Sequence, residues 1–171
     1  MINAEIVIDN VNWKKKLKNT DLFINKILKS FPKKYQFNGK KVILTVLLSN
    51  NKKIKQLNKK FRKKDKPTDI LSFPFGKKIS KSIVYLGDII ISYDFINKPK
   101  SLNILQFKDK LAKIFIHGFL HLAGFDHIKV SEFKKMNKEE LKIYNLVKKK
   151  FWKLYLKINI LVIYMLSHSE V

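Results

Sequence analysis

The chain contains no cysteine, so disulfide bridges and thiolate metal sites are excluded, and any transition-metal site must be built from histidine and carboxylate. Carboxylates are themselves scarce: 13 Asp and Glu stand against 37 Lys and Arg, a formal charge of +24. Such an excess favours contact with polyanions: RNA, DNA or an anionic membrane. Glycine (5) and proline (4) are also rare, while lysine, isoleucine, asparagine and phenylalanine abound. An AT-rich genome imposes that bias on any protein, so charge alone assigns no partner. No apolar run reaches spanning length. The longest, residues 158–166, is interrupted by Asn159 and preceded by Lys157, well short of the roughly 20 residues a membrane-crossing helix needs. The opening MINAEIVIDN alternates apolar and polar residues and lacks both the positive and the continuous apolar regions of a signal peptide. These absences predict a cytoplasmic protein with no membrane partner.

What remains is 171 residues with 46% hydrophobic content, enough for one domain with a substantial core. Residues 4–9 read as a first strand, and 21–29, with Leu22, Ile24, Ile27 and Leu28, as a helix stopped by Pro32. A turn is expected at Asn38-Gly39. Residues 42–48, VILTVLL, form an unbroken apolar and β-branched run, the pattern of a central strand covered on both faces. A basic helix follows over 51–61, then a polar loop, then strands over 70–75 and 84–92. From 104 to 123 the period becomes helical and nearly the whole circumference is apolar, which predicts a buried helix. A last amphipathic helix begins near Ser131 and continues into KKKFWKLYLKINILVIYML. The predicted fold is α+β: a single domain, with a sheet of about four strands layered against helices. Residues 1–148 form the domain and 149–171 a basic, aromatic extension, expected to be helical.

Three of the four histidines lie in HGFLHLAGFDH, residues 117–127. Four positions apart on a helix, His117 and His121 project from one face and can reach one ion. Gly124 stands where a helix commonly ends in the left-handed conformation, and the turn can bring His127 back as a third ligand. Three neutral imidazoles on Zn²⁺ leave a fourth position free, the mark of a catalytic site. A lone histidine is more often an ordinary surface or core residue, as expected for His168. The apolar helix and the spacing H-x-x-x-H-x-x-G-x-x-H argue for metal at the end of the buried helix.

Zinc peptidases of this spacing carry H-E-x-x-H, where the glutamate is the general base. Here that position is Gly118, so peptide hydrolysis by that route lacks its base. Glycine leaves room beside the metal for a bulky group such as a phosphodiester, or else serves helix packing. Phosphoryl chemistry asks for cations near the metal, and guanidinium matches phosphate geometry best. Arg62, in a chain whose basic residues are overwhelmingly lysine, is the candidate; a solvated surface charge is the alternative.

At these residues the chain resembles the YbeY-type endoribonucleases, bacterial rRNA maturation factors. HGFLHLAGFDH is similar to the family's H-G-x-L-H-L-x-G-Y-D-H signature, with Phe125 for tyrosine, and LNKKFRKKDKPTDILSFPF resembles its N-x-x-[YF]-R-x-x-D-x-P-T-D-V-L-S-F segment. LGDIIIS, residues 86–92, and the pair Met136 and Glu140 resemble two lesser features. The resemblance implies a single-strand-specific, metal-dependent endoribonuclease acting in 3′-end maturation of small-subunit ribosomal RNA and in ribosome quality control. It places zinc ligands on His117, His121 and His127 and the required arginine on Arg62. Asp88 and Asp126 are candidate bases, unless Asp126 only orients a histidine ring and Asp88 only caps a turn. Two other classes remain: a non-enzymatic RNA-binding assembly factor with a structural metal, and a zinc hydrolase of peptides or amides.

Overall fold

The computed structural model describes residues 2–36, 39–78 and 82–167, with backbone alone for 76–78 and 152–167. In chain order the elements are β1 (Ile2–Ile8), α1 (Asn12–Lys16), α2 (Thr20–Lys29), a 3-10 turn (Lys33–Tyr35), β2 (Lys41–Ser49), α3 (Asn51–Arg62), β3 (Ile70–Lys78), β4 (Ile83–Ser92), α4 (Tyr93–Ile96), α5 (Ile104–Leu122) and α6 (Val130–Ser167). The expected α+β domain is present, with four strands in one sheet. His168 and the side chains of the extension beyond 151 lie outside the described residues, as does Asn38 of the expected turn.

Strand order is β1-β2-β4-β3. β2 pairs in parallel with both β1 and β4, so helices must carry the chain across between them, and β3 joins β4 antiparallel at an edge. Pro74 lies opposite Gly87, and the β3–β4 register slips between Pro74 and Lys77. β2 is interior, as its β-branched run predicts, but its two faces differ. Val42, Leu44, Val46 and Leu48 are fully buried under α2 and α5, whereas Ile43, Thr45 and Leu47 are only half-buried. On that second face α3 covers one end alone, where Ile54 meets Leu71 and Ile90. The expectation of a strand buried on both sides is corrected: one short helix cannot roof a four-strand sheet.

α5 is the core helix. Asn103 caps it by accepting from the Leu105 and Gln106 N–H groups while the Gln106 side chain accepts from the Asn103 N–H, a capping box that fixes its start. Phe107, Phe115 and Phe119 are wholly buried, each worth roughly 1.5–3 kcal/mol by transfer from water. Phe119 meets Phe31 edge-on at 4.7 Å, and Phe107 meets Trp13 at 5.7 Å. Trp13 explains α1, which has no visible helical period: five residues are held by one fully buried indole whose N–H donates to Ser49 O at 2.9 Å. In α2, Ile24, Ile27 and Leu28 face the core and Leu22 faces out. No described helix is long and apolar enough to cross a membrane.

Candidate metal centre

α5 ends in a Schellman turn. The Phe125 N–H donates to Leu120 O at 2.9 Å and the Gly124 N–H to His121 O at 3.1 Å. Gly124 has φ +87°, a backbone that only glycine takes up freely. The chain thereby folds back over the helix end and carries His127 to the pair on α5. Ring centroids lie 4.8 Å apart for His117 and His121, 5.0 Å for His121 and His127, and 5.5 Å for His117 and His127. One nitrogen from each ring lies within 4.8 Å of the other two.

The outer nitrogens of two rings are engaged. His121 Nδ1 lies 3.0 Å from the Phe125 carbonyl, which can only accept, so this nitrogen carries the proton. His117 Nδ1 lies 2.6 Å from Glu140 Oε1 on α6 and donates to that carboxylate in the same way. Burial, joined by repulsion from His117 and His127, pushes the His121 pKa below its ordinary 6.5, which keeps that ring neutral at pH 7. The inner nitrogens of the pair, His117 Nε2 and His121 Nε2, face each other at 3.2 Å. With the proton of each ring on Nδ1, a neutral pair would present two lone pairs here, which a shared cation would satisfy. Two nitrogens on one tetrahedral Zn²⁺ at 2.0–2.1 Å would stand about 3.3 Å apart. The His117–His121 pair matches that spacing, and three imidazole nitrogens within 4.8 Å of one another fit a metal ion.

The histidines open onto a cavity of about 780 Å³ whose rim also carries Arg62 and Lys64. Arg62 is the last residue of α3, and its exposed guanidinium has no ion pair or hydrogen bond among the described residues. The turn after it is tightly held. Buried Asn58 donates its side-chain N–H to Lys66 O at 2.7 Å, and its carbonyl accepts from the Lys64 N–H at 3.3 Å. Lys63 takes the left-handed conformation at φ 59°, unusual for a residue with a side chain. Arg62 and the three histidines, the candidate site residues of the sequence, all line one cavity.

The surroundings of Gly118, Asp88 and Asp126 bear on the alternatives left open for each. Gly118 is buried against β3: a β-carbon there would stand 2.4 Å from Ile70 Cδ1 and 3.0 Å from Ser72 Oγ. Its role is close helix–strand approach, and the space it leaves is filled by the protein, not by substrate. Asp88 lies on the other sheet face, near Leu57 and Phe73, where it accepts from the Tyr85 hydroxyl at 2.6 Å; it does not face the histidines. Asp126 lines the cavity, its Oδ1 accepts the His127 backbone N–H at 2.8 Å, and among the described residues it bonds to no imidazole ring. The orienting groups are Glu140 and a backbone carbonyl. Residue spacing carried no signal for either, because Glu140 is 23 positions from His117 on a separate helix, and the carbonyl belongs to no side chain. For the same reason the phenylalanine at 125 costs His121 nothing.

The sequence model of endoribonuclease YbeY matches residues 7–148. The chain belongs to the YbeY endoribonuclease family. An endoribonuclease YbeY of Pelagibacter ubique is 62% identical over 151 residues, covering 88% of this chain and 99% of that one. Another, from Neorickettsia sennetsu, is 37% identical over 139 residues, with 81% and 93% covered. The solution structure of a Thermotoga maritima protein superposes with a TM-score of 0.52 at 27% identity, covering 90% of this chain and 93% of that one. The YbeY match ends inside α6, which continues unbroken to Ser167.

Proposed function

We propose that this YbeY-family chain is a metal-dependent endoribonuclease that cuts single-stranded RNA, with small-subunit ribosomal RNA, at its 3′ end, as substrate and the small subunit as partner in the cytoplasm. The observation that carries the reading is the pairing, within one cavity, of three converging imidazoles with a guanidinium that has no partner among the described residues. The ion proposed is Zn²⁺, held by His117, His121 and His127, since neutral imidazole suits it and the chain has no thiolate to offer. When bound, it supplies Lewis acidity and lowers the pKa of a bound water. Arg62 binds the scissile phosphate bidentately and stabilises charge as it develops on the equatorial oxygens. Lys64 adds charge on the same rim, and the exposed Lys52, Lys53, Lys59, Lys60 and Lys63 draw in the RNA backbone. Of the two candidate bases, Asp126 lines the cavity and is the one available to take up a proton, Asp88 being on the other face; Asp69 also lines the cavity, its Oδ1 already accepting from the Thr68 hydroxyl and the Ile70 N–H. Gly118 denies the chain the glutamate base of the zinc peptidases.

The test is cleavage of a single-stranded RNA oligomer by the full chain as purified, after chelation and after Zn²⁺ is restored, beside His121→Ala. Cleavage is expected to vanish with the metal and return with it, and the variant to lose both metal and cleavage. RNA binding without metal-dependent cutting would overturn the enzyme reading in favour of an assembly factor.

A further inference from the structure

On α6, Met136, Ile143 and Val147 form a stripe packed into the core, with 1%, 0% and 3% of their surfaces exposed. Glu140 falls on that stripe, four residues after Met136 and three before Ile143, where helical periodicity calls for an apolar side chain. Unlike its neighbours on the stripe, the Glu140 side chain is only half-buried, and a partly desolvated carboxylate gains from a partner. Its hydrogen-bonding partner is His117 Nδ1, at 2.6 Å. The adjacent Glu139 faces elsewhere, bonded to Lys34 at 2.7 Å and to the Tyr35 hydroxyl at 3.0 Å. One carboxylate ties α6 to the 3-10 turn, and its neighbour ties α6 to a histidine.

We infer that Glu140 is a positioning residue for the metal centre, fixing His117 with the proton on Nδ1 and Nε2 turned bare towards His121 and His127. The inference rests on the metal reading of the three histidines. A carboxylate accepting from the outer ring nitrogen sets both tautomer and ring angle and makes the inner nitrogen more basic. His121 receives the same service from the Phe125 carbonyl, which carries no charge and is fixed by the Schellman turn. The charged brace thus acts on the ring that a second helix must hold. A purely structural α5–α6 tie predicts otherwise: it would lower stability and leave the ring's tautomer and ion affinity alone.

The experiment uses the full chain and Zn²⁺ alone, titrated against a chromophoric chelator, for wild type, Glu140→Ala, Glu140→Gln and Glu139→Ala, with nitrogen-15 spectra of the metal-free His117 ring. Glu140→Ala is expected to weaken Zn²⁺ binding about 10–100-fold and to lose the Nδ1-protonated signature of His117. Glu140→Gln, which keeps an acceptor oxygen without its charge, recovers the tautomer and part of the affinity, and it serves where the alanine variant fails to fold. Glu139→Ala is expected to melt earlier and bind Zn²⁺ as wild type does. Wild-type affinity and an unchanged tautomer in the Glu140 variants would overturn the inference alone, whereas a wild-type chain that binds no Zn²⁺ would overturn the metal reading with it.

Discussion

Gly118 on α5 and Ser72 on β3 are so close that a β-carbon on the glycine would stand 3.0 Å from the serine Oγ. The helix bearing the histidines is seated on the edge strand at this point. Alanine at 118 gains about 1 kcal/mol of helix propensity and loses about 1–3 kcal/mol to overpacking, because Ile70 must also give way. A net loss of about 1 kcal/mol is expected in thermal or denaturant melts. Gly118→Glu, which restores the peptidase motif on paper, buries a carboxylate among Ile70 and Ser72. It is expected to cost more than about 3 kcal/mol and to yield no peptide hydrolysis in a library assay.

Arg62 makes no side-chain bond within the described protein, so its removal should leave fold and metal intact. Arg62→Ala is expected to keep the wild-type melting temperature and Zn²⁺ content while losing roughly 10²–10³-fold in RNA cleavage rate. Arg62→Lys restores charge but not the fork, and should recover only a fraction of the rate. Full activity in the lysine variant would show that charge alone suffices.

Lys63, at φ 59°, holds a conformation that costs a side-chain-bearing residue about 1–2 kcal/mol. Glycine relieves that strain but gives the unfolded chain more freedom, about 0.5–1 kcal/mol. Lys63→Gly is therefore expected to stabilise the protein by about 0.5–1 kcal/mol, read as a higher denaturation midpoint with an unchanged slope.

Glu139 sets a pH dependence. Desolvation pushes its pKa up, but the hydrogen bonds from Lys34 and the Tyr35 hydroxyl outweigh this and hold it below the ordinary 4.5. Since the folded value is the lower one, the unfolded chain takes up the proton first as pH falls. The stabilisation is complete above about pH 4.5 and is lost as pH drops through the folded value. Glu139→Gln should be less stable near neutrality, by about 1 kcal/mol given the half-exposed lysine, and should match wild type in strong acid. Parallel melting curves at every pH would contradict this.

Legibility followed the range of each interaction. The period of α5, the β-branched run of β2 and the histidine spacing are local patterns, and each led to the element or cluster found. Arg62 stood out by residue type. The short α1 was invisible because its helix depends on Trp13 reaching Ser49 O, 36 residues away. The openness of the second sheet face depends on how little α3 covers, and no single segment encodes that. Gly118 was ambiguous until β3 was set beside it, and Glu140 resembled a family position without a role until α6 was laid against α5.

An unpaired strand edge is a template on which another chain can add itself. β3 blunts that hazard in its own middle, where Pro74 has no N–H to offer and the ladder loses step before Lys77. Fibre-like growth along this strand meets a missing rung, a safeguard of value to a chain so rich in isoleucine and phenylalanine. Ile70, Ser72 and Pro74 of the same strand also border the cavity, so the interrupted rung lies beside that opening.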